Sequence, residues 1–206
     1  MLPEIWEPEM KVVFVGTVVL EPSDSIGFHH LHPRDRFWEL LALGGITPQR
    51  IITAQERRAL SEGHARGNVS DPVRSMFLQK KTSQLLKLRI GITQLNRRVV
   101  VANEKDKSAR PSPDDIQQFV TRVEELNPGI LAFTTDADLF VGSFKTRYPG
   151  VSDTLGAQSF KIGTSDVWLL GSTTKMLRGE ALTKQEDLFF ELGETISALR
   201  REAGEH

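Results

Sequence analysis

Residues 12–15 of this chain read Val-Val-Phe-Val and are followed by Gly16; no other short stretch restricts the fold as much. β-Branched and aromatic residues that do not alternate with polar ones are what a strand buried on both faces requires, and a glycine at the end marks a tight turn. The segment 11–16 therefore reads as an interior strand that stops at Gly16. In α/β sheets ligands bind outside the carboxyl ends of strands, so the four residues that follow are expected to form a functional loop. Thr17, Val18, Val19 and Leu20 bring almost no polar chemistry to it.

Further strands are expected at 88–95, 130–134 and 167–171, with 158–163 as hairpin partner of the last. Helical patterns lie between them. One covers 35–43 and stops at Gly44 and Gly45; one covers 114–126, opened by Ser112-Pro113 and closed by Asn127-Pro128; the last runs from a Thr183 cap to 201. Strands that alternate with helices imply an α/β fold with a parallel sheet covered on both sides. A single domain over 1–206 is expected, since no linker or repeat divides the chain.

Composition narrows the chemistry. With 206 residues, 39% hydrophobic and 26% charged, the chain can bury a full core. Its longest apolar runs fall far short of the ~20 residues a membrane helix needs, and the N-terminal residues lack a basic-then-apolar leader pattern. A cytoplasmic protein without membrane contact is the expectation. Absence of cysteine excludes disulfides and thiolate-held zinc or iron–sulfur centres. His29, His30 and His32 are closely spaced, but with no carboxylate at ligand spacing they read as loop histidines rather than a metal site.

The net charge of −1 hides an uneven distribution. Residues 50–98 gather Arg57, Arg58, Arg66, Arg74, Lys80 and Lys81, among others, against only Glu56, Glu62 and Asp71. Such a run is usually a solvated helix face, yet this one-sided segregation favours a polyanion partner. Much of it lies in 55–87, a connection far longer than the usual ~2–6 residues of α/β units. Helices are expected there at 55–60 and 73–86, forming a basic insert. The polar stretch 103–113 reads as a surface loop.

After the first strand come Gly16, then Phe28, then HPRDRFW at 32–38; farther on are GITQL at 91–95 and DVWLLGSTTKMLR at 166–178. In this order and spacing the chain resembles the uracil-DNA glycosylase superfamily, closest to its mismatch-specific branch, and the likeness covers nearly everything except 55–87. The resemblance implies a three-layer α/β/α sandwich around a central, mainly parallel four-stranded sheet. It also implies a monomeric DNA glycosylase that needs no cofactor, flips uracil or another deaminated base out of DNA, cleaves its N-glycosidic bond and leaves an abasic site. In a bacterial cell such a protein works on the nucleoid, and free uracil is its product ligand.

Residue roles follow from the same resemblance. Phe28 is expected to stack on the flipped base beside Gly16, Gln94 to read its edge, and Asn96 to do so if the register shifts by two; the plainer alternatives are a core plug and strand-exit capping. Phe37 and Trp38 should be buried, and Arg36 should bond loop carbonyls or a phosphate. In the second motif, Met176 aligns with the wedge that fills the gap in the duplex, Lys175 and Arg178 with phosphate contacts, and Ser172 with a donor to uracil O2.

The first motif departs from the family. Its asparagine or aspartate, which holds the attacking water, is replaced by Val18, and a valine side chain can neither polarise nor orient water. Thr17 and Val18 thus occupy the catalytic place without the catalytic group. Glu21, Asp24, His29 and His30 are the substitutes nearby, with Asp24 the first choice beside its reading as a turn residue. Two functions remain open: a glycosylase that relies on stabilising the departing anion, and a protein of the same fold that has lost its chemistry and binds uracil or abasic sites.

Overall fold

The structure is a computed structural model that describes residues 2–20, 23–65, 71–101, 110–202 and 204. Its sheet has five strands: β1 (Val12–Leu20), β2 (Ile90–Val101), β3 (Ile130–Phe133), β4 (Gly156–Ile162) and β5 (Ser165–Leu169). Their order is β2-β1-β3-β5-β4; all neighbours are parallel except the β4–β5 hairpin. The four-strand expectation is thus corrected to five, because the hairpin partner at 158–163 joins the sheet as an edge strand. Gly163, at φ +60°, makes the tight turn between the two.

Alternate residues of β1 enter two separate cores. Val12 and Phe14 pack with α2 (Phe37–Leu43) and α7 (Glu180–Glu202), where Phe14 meets Phe37 edge-on at 5.1 Å and lies parallel to Phe189 at 6.4 Å. Val13 and Val15 pack with α5 (Pro113–Leu126) and α6 (Ala137–Phe144). A strand with helices on both its faces needs the continuous apolar run seen in the sequence. Phe37 and Trp38 are fully buried, as expected.

Local chemistry sets several boundaries. Ser112 caps α5 through a reciprocal box with Asp115, and Asn127 closes it in the left-handed conformation. The long connection folds as α3 (Ala54–Ala65) and α4 (Asp71–Lys87). α7 begins at Glu180, ahead of Thr183, whose amide bonds the Gly179 carbonyl inside the first turn. The short helix α1 (Ser23–Ile26) and α6 were not read from the sequence.

The principal correction concerns the segment after Gly16. β1 does not stop there but continues through Thr17–Leu20, since β2 also extends and pairs with it: Gly16 with Gln94, Val18 with Asn96, then, after a register shift, Val19 with Val100. Three β-branched residues in this stretch favour extended backbone. The chain leaves β1 for β2 on one side and later returns to β3 on the other, so β1 and β3 flank the point where strand order reverses, the place where α/β sheets form ligand crevices.

Candidate active site

A small cleft opens at these strand ends. Gly16, Thr17 and Val18 of β1, Gln94 of β2 and Thr134 after β3 form its floor; Leu2, Ser23, His30 and Asp35 enclose it with Thr173. Its free volume is about 20 Å³. A single water needs roughly 10–15 Å³, so the cleft as it stands admits water and must widen for anything larger.

Gly16 and Gln94 form one device. They are register partners on the face of the sheet that packs against α2, and the Gln94 amide lies over the Gly16 backbone so closely that a Cβ there would fall 2.1 Å from Oε1. Only glycine leaves that space. Gln94 is 8% exposed, and its Oε1 is buried without a hydrogen-bond partner among the described residues. An orphaned buried amide oxygen costs about 1–3 kcal/mol, a cost that a donor entering the cleft would relieve.

The opposite wall is a charged relay. His30 Nδ1 donates to Asp35 Oδ2 at 2.9 Å. Asp35 Oδ1 accepts from the Phe37 amide at 2.9 Å and the Thr173 hydroxyl at 2.6 Å. Although burial pushes the Asp35 carboxyl up, the adjacent His30 and the hydrogen bonds from Thr173 and Phe37 outweigh it and hold the group below its ordinary range. His30 is fixed further: its ring stacks on Phe37 at 3.8 Å, its carbonyl accepts from the Trp38 indole at 3.1 Å, and its backbone is left-handed at φ +55°. A non-glycine residue held there costs roughly 1–3 kcal/mol, a pattern that concentrates at functional sites. His32 also lines the cleft; desolvation, with Arg34 nearby, lowers its pKa.

The expected residues divide between this cleft and elsewhere. Gly16, Thr17, Val18 and Gln94 meet there, Thr17 also bonding the Thr135 hydroxyl across to the β3 side. Phe28 does not line it: 1% exposed, the ring stacks on Trp38 at 5.9 Å, and the rings that line the cleft are those of His30 and His32. His29 donates from Nε2 to the Pro3 carbonyl at 2.8 Å, so the three histidines diverge, and among the described residues no three His, Asp or Glu gather as metal ligands. Asp24 sits in α1, outside the lining residues; Asn96 is buried and reaches the Arg110 carbonyl at 3.4 Å; Glu21 lies outside the described residues.

The segment after β5 is tied to the relay, since Thr173 also accepts the Arg36 amide on its carbonyl at 3.0 Å. Arg36 itself pairs with Glu186 at 2.7 Å rather than with loop carbonyls. Ser172 is buried, bonded to the Thr174 hydroxyl at 2.9 Å, and is not among the lining residues. Met176 stands 69% exposed beside exposed Arg178, and Lys175 pairs with Asp136 at 2.8 Å.

Two cations of the insert are spent inside the fold. Arg57, 7% exposed, bonds the Asp35 carbonyl and pairs with Glu39 at 2.8 Å; Lys81 bonds the Ile51 carbonyl and pairs with Glu56 at 2.8 Å. Their expected phosphate contacts are corrected accordingly: both ammonium and guanidinium groups already have internal partners. Arg58 and Lys80 are exposed, Arg74 is half-buried, and Arg66 lies outside the described residues.

Asp35, Thr134, Thr173 and Leu2 were missed as site residues. Asp35 alone carried a signal, as a carboxylate five residues after a histidine. No helix among the described residues is long and apolar enough to cross a membrane. A comparison of the sequence with models of known protein families found no match.

Proposed function

We propose that this chain is a DNA glycosylase of the uracil-DNA glycosylase type, with a three-layer α/β/α architecture, that hydrolyses the N-glycosidic bond of uracil and related deaminated bases. The observation that carries the reading is the orphaned Gln94 amide, set over Gly16 in a cleft at the reversal point of the sheet. A carboxamide in that position can accept from uracil N3–H and donate to O4. The resemblance over Gly16, HPRDRFW and 166–178 supplies the rest of the argument.

In the reaction the C1′–N1 bond breaks with its electron pair leaving on uracil, the sugar becomes oxocarbenium-like, and water adds to C1′ and loses a proton. Donors at the departing base and distortion of the flipped nucleotide carry most of the work, so Val18 does not preclude chemistry. Entry of the base requires the cleft to widen between Leu2 and the 23–35 segment, which is gating of the kind loops perform in many enzymes. Exposed Met176 is suited to fill the vacated stack, with Lys175 and Arg178 beside it for flanking phosphates. Arg58, Arg74 and Lys80 are the cations of the insert proposed to contact the DNA backbone.

Apolar Val18 and the narrow cleft favour a second reading, a protein that recognises uracil or abasic DNA without cleaving it. One experiment separates the two: labelled oligonucleotides with a single uracil, unpaired or opposite A or G, are incubated with substoichiometric protein and treated with alkali. Strand scission over several turnovers supports the enzyme. Selective binding without scission supports the binding protein.

A further inference from the structure

We infer that His30 is the base that takes the proton of the attacking water, with Asp35 as the residue that positions it. The inference rests on the glycosylase reading above and supplies the group that Val18 lacks.

Four observations converge on this ring. Its Nδ1 donates to a carboxylate, so in the neutral imidazole the lone pair lies on Nε2. Nε2 is buried and has no hydrogen-bond partner among the described residues, in a side chain 8% exposed that lines the cleft. The cleft that this side chain lines has about 20 Å³ of free space, room for one water, and Gln94 and Thr134 line the same space. The ring cannot swing away readily: Phe37 stacks on it, and the Trp38 indole holds its carbonyl.

The step balances without any partner beyond water and the nucleotide. As the C1′–N1 bond breaks and uracil departs with the electron pair, the water oxygen bonds to C1′. One O–H pair stays on that oxygen while the proton passes to Nε2. The imidazolium formed is paired with Asp35, which stays ionised, its second oxygen held by Thr173 and the Phe37 amide. Charged and titratable groups facing the ring are Asp35 and His32 from its own segment and Arg57 of α3, which bonds the Asp35 carbonyl. From β1, β2, β3 and the segment after β5, the lining residues are neutral: Val18, Gln94, Thr134 and Thr173.

The test is single-turnover uracil excision from a single-stranded oligonucleotide across pH 5–9, for the native chain, His30→Phe and Asp35→Asn. His30→Phe keeps a ring to stack on Phe37 but has no nitrogen; it is expected to lose roughly 10²–10³-fold and to flatten the pH profile relative to the native chain. In Asp35→Asn the amide oxygen still accepts from Phe37 and Thr173, but its NH₂ donates to His30 Nδ1 and forces the proton onto Nε2. That variant is expected to lose at least about tenfold and change its pH profile, with oligonucleotide affinity retained. A His30→Phe protein with the native rate and native pH profile overturns the inference while leaving the glycosylase reading intact. No excision by the native chain overturns both. Should His30→Phe not fold, a flat native profile or an Asp35→Asn profile identical to native overturns it equally.

Discussion

Replacing Gly16 by alanine is expected to disable the site while sparing the fold. The new Cβ would fall 2.1 Å from Gln94 Oε1 and 2.8 Å from Cδ and Nε2. Moving the oxygen from 2.1 Å to a contact of even 3.0 Å requires a retreat of about 0.9 Å. Misplacing a positioning group by ~1 Å costs on the order of 10²-fold in rate, equivalent to about 2.7 kcal/mol of transition-state stabilisation. The obstacle is the far end of a flexible side chain, not backbone, so β1 itself need not shift. Alanine also restricts the unfolded chain more than glycine does, a contribution of roughly 0.4–1 kcal/mol toward stability. The expected phenotype is a nearly unchanged melting temperature with single-turnover excision down about a hundredfold. The double-mutant cycle with Gln94→Ala makes the cause explicit: once Gln94 is truncated, Gly16→Ala should cost little more, because its only effect was to evict that amide. Losses that multiply, or a native rate in Gly16→Ala, would refute the reasoning.

Four further outcomes are expected. Val18→Asn should give no gain in single-turnover rate, because water is held from the His30 wall; a tenfold gain would return it to β1. Arg57→Ala should destabilise the chain by about 3 kcal/mol in urea unfolding, since it strands the largely buried Glu39 carboxylate and the Asp35 carbonyl, yet leave the salt dependence of DNA binding unchanged, whereas Arg58→Ala or Lys80→Ala should each lower that slope by about 1; a shallower slope in Arg57→Ala would contradict its internal role. Leu2→Ala should widen the cleft and lower KM for uracil-containing oligonucleotides, measured in steady state, and an unchanged KM would mean that Leu2 does not restrict entry. Acid should weaken the fold in two stages seen by denaturation at stepped pH: His32, lowered by burial, binds its proton more readily unfolded, so stability falls as pH drops below 6.5 toward its folded value, and the stability held by ionised Asp35 is present above 3.8 and lost as pH falls through its lower folded value. The second stage should shrink in Asp35→Asn, and what remains belongs to Glu56, whose carboxyl burial pushes up but Lys81 and Thr53 together hold below its ordinary range.

Strand positions and the α5 caps were legible because each depends on local signals: an apolar run, a serine before a proline, an asparagine that tolerates left-handed backbone. The end of β1 was not, because its extension depends on β2 continuing alongside it as far as Val101, a pairing between residues 78 to 81 apart in the chain. Phe28 and His30 lie two residues apart in one segment, and of the two only His30, whose backbone is left-handed, lines the cleft. Arg57 and Lys81 looked like members of a basic face; their partners, the Asp35 and Ile51 carbonyls with Glu39 and Glu56, include groups that no charge count includes. Asp35 was visible as part of HPRDRFW, but its bond to Thr173, distant in sequence, is a product of the fold.

That the cleft floored by Gly16 and Gln94 cleaves uracil from DNA is a proposal open to direct test. Its most direct measurement is the amount of free uracil released from a uracil-containing single strand, quantified by chromatography with mass detection at protein well below substrate. More than one uracil per protein molecule is expected, with release abolished or greatly reduced in Gln94→Ala. No uracil above background from native protein that nevertheless binds the strand would contradict it.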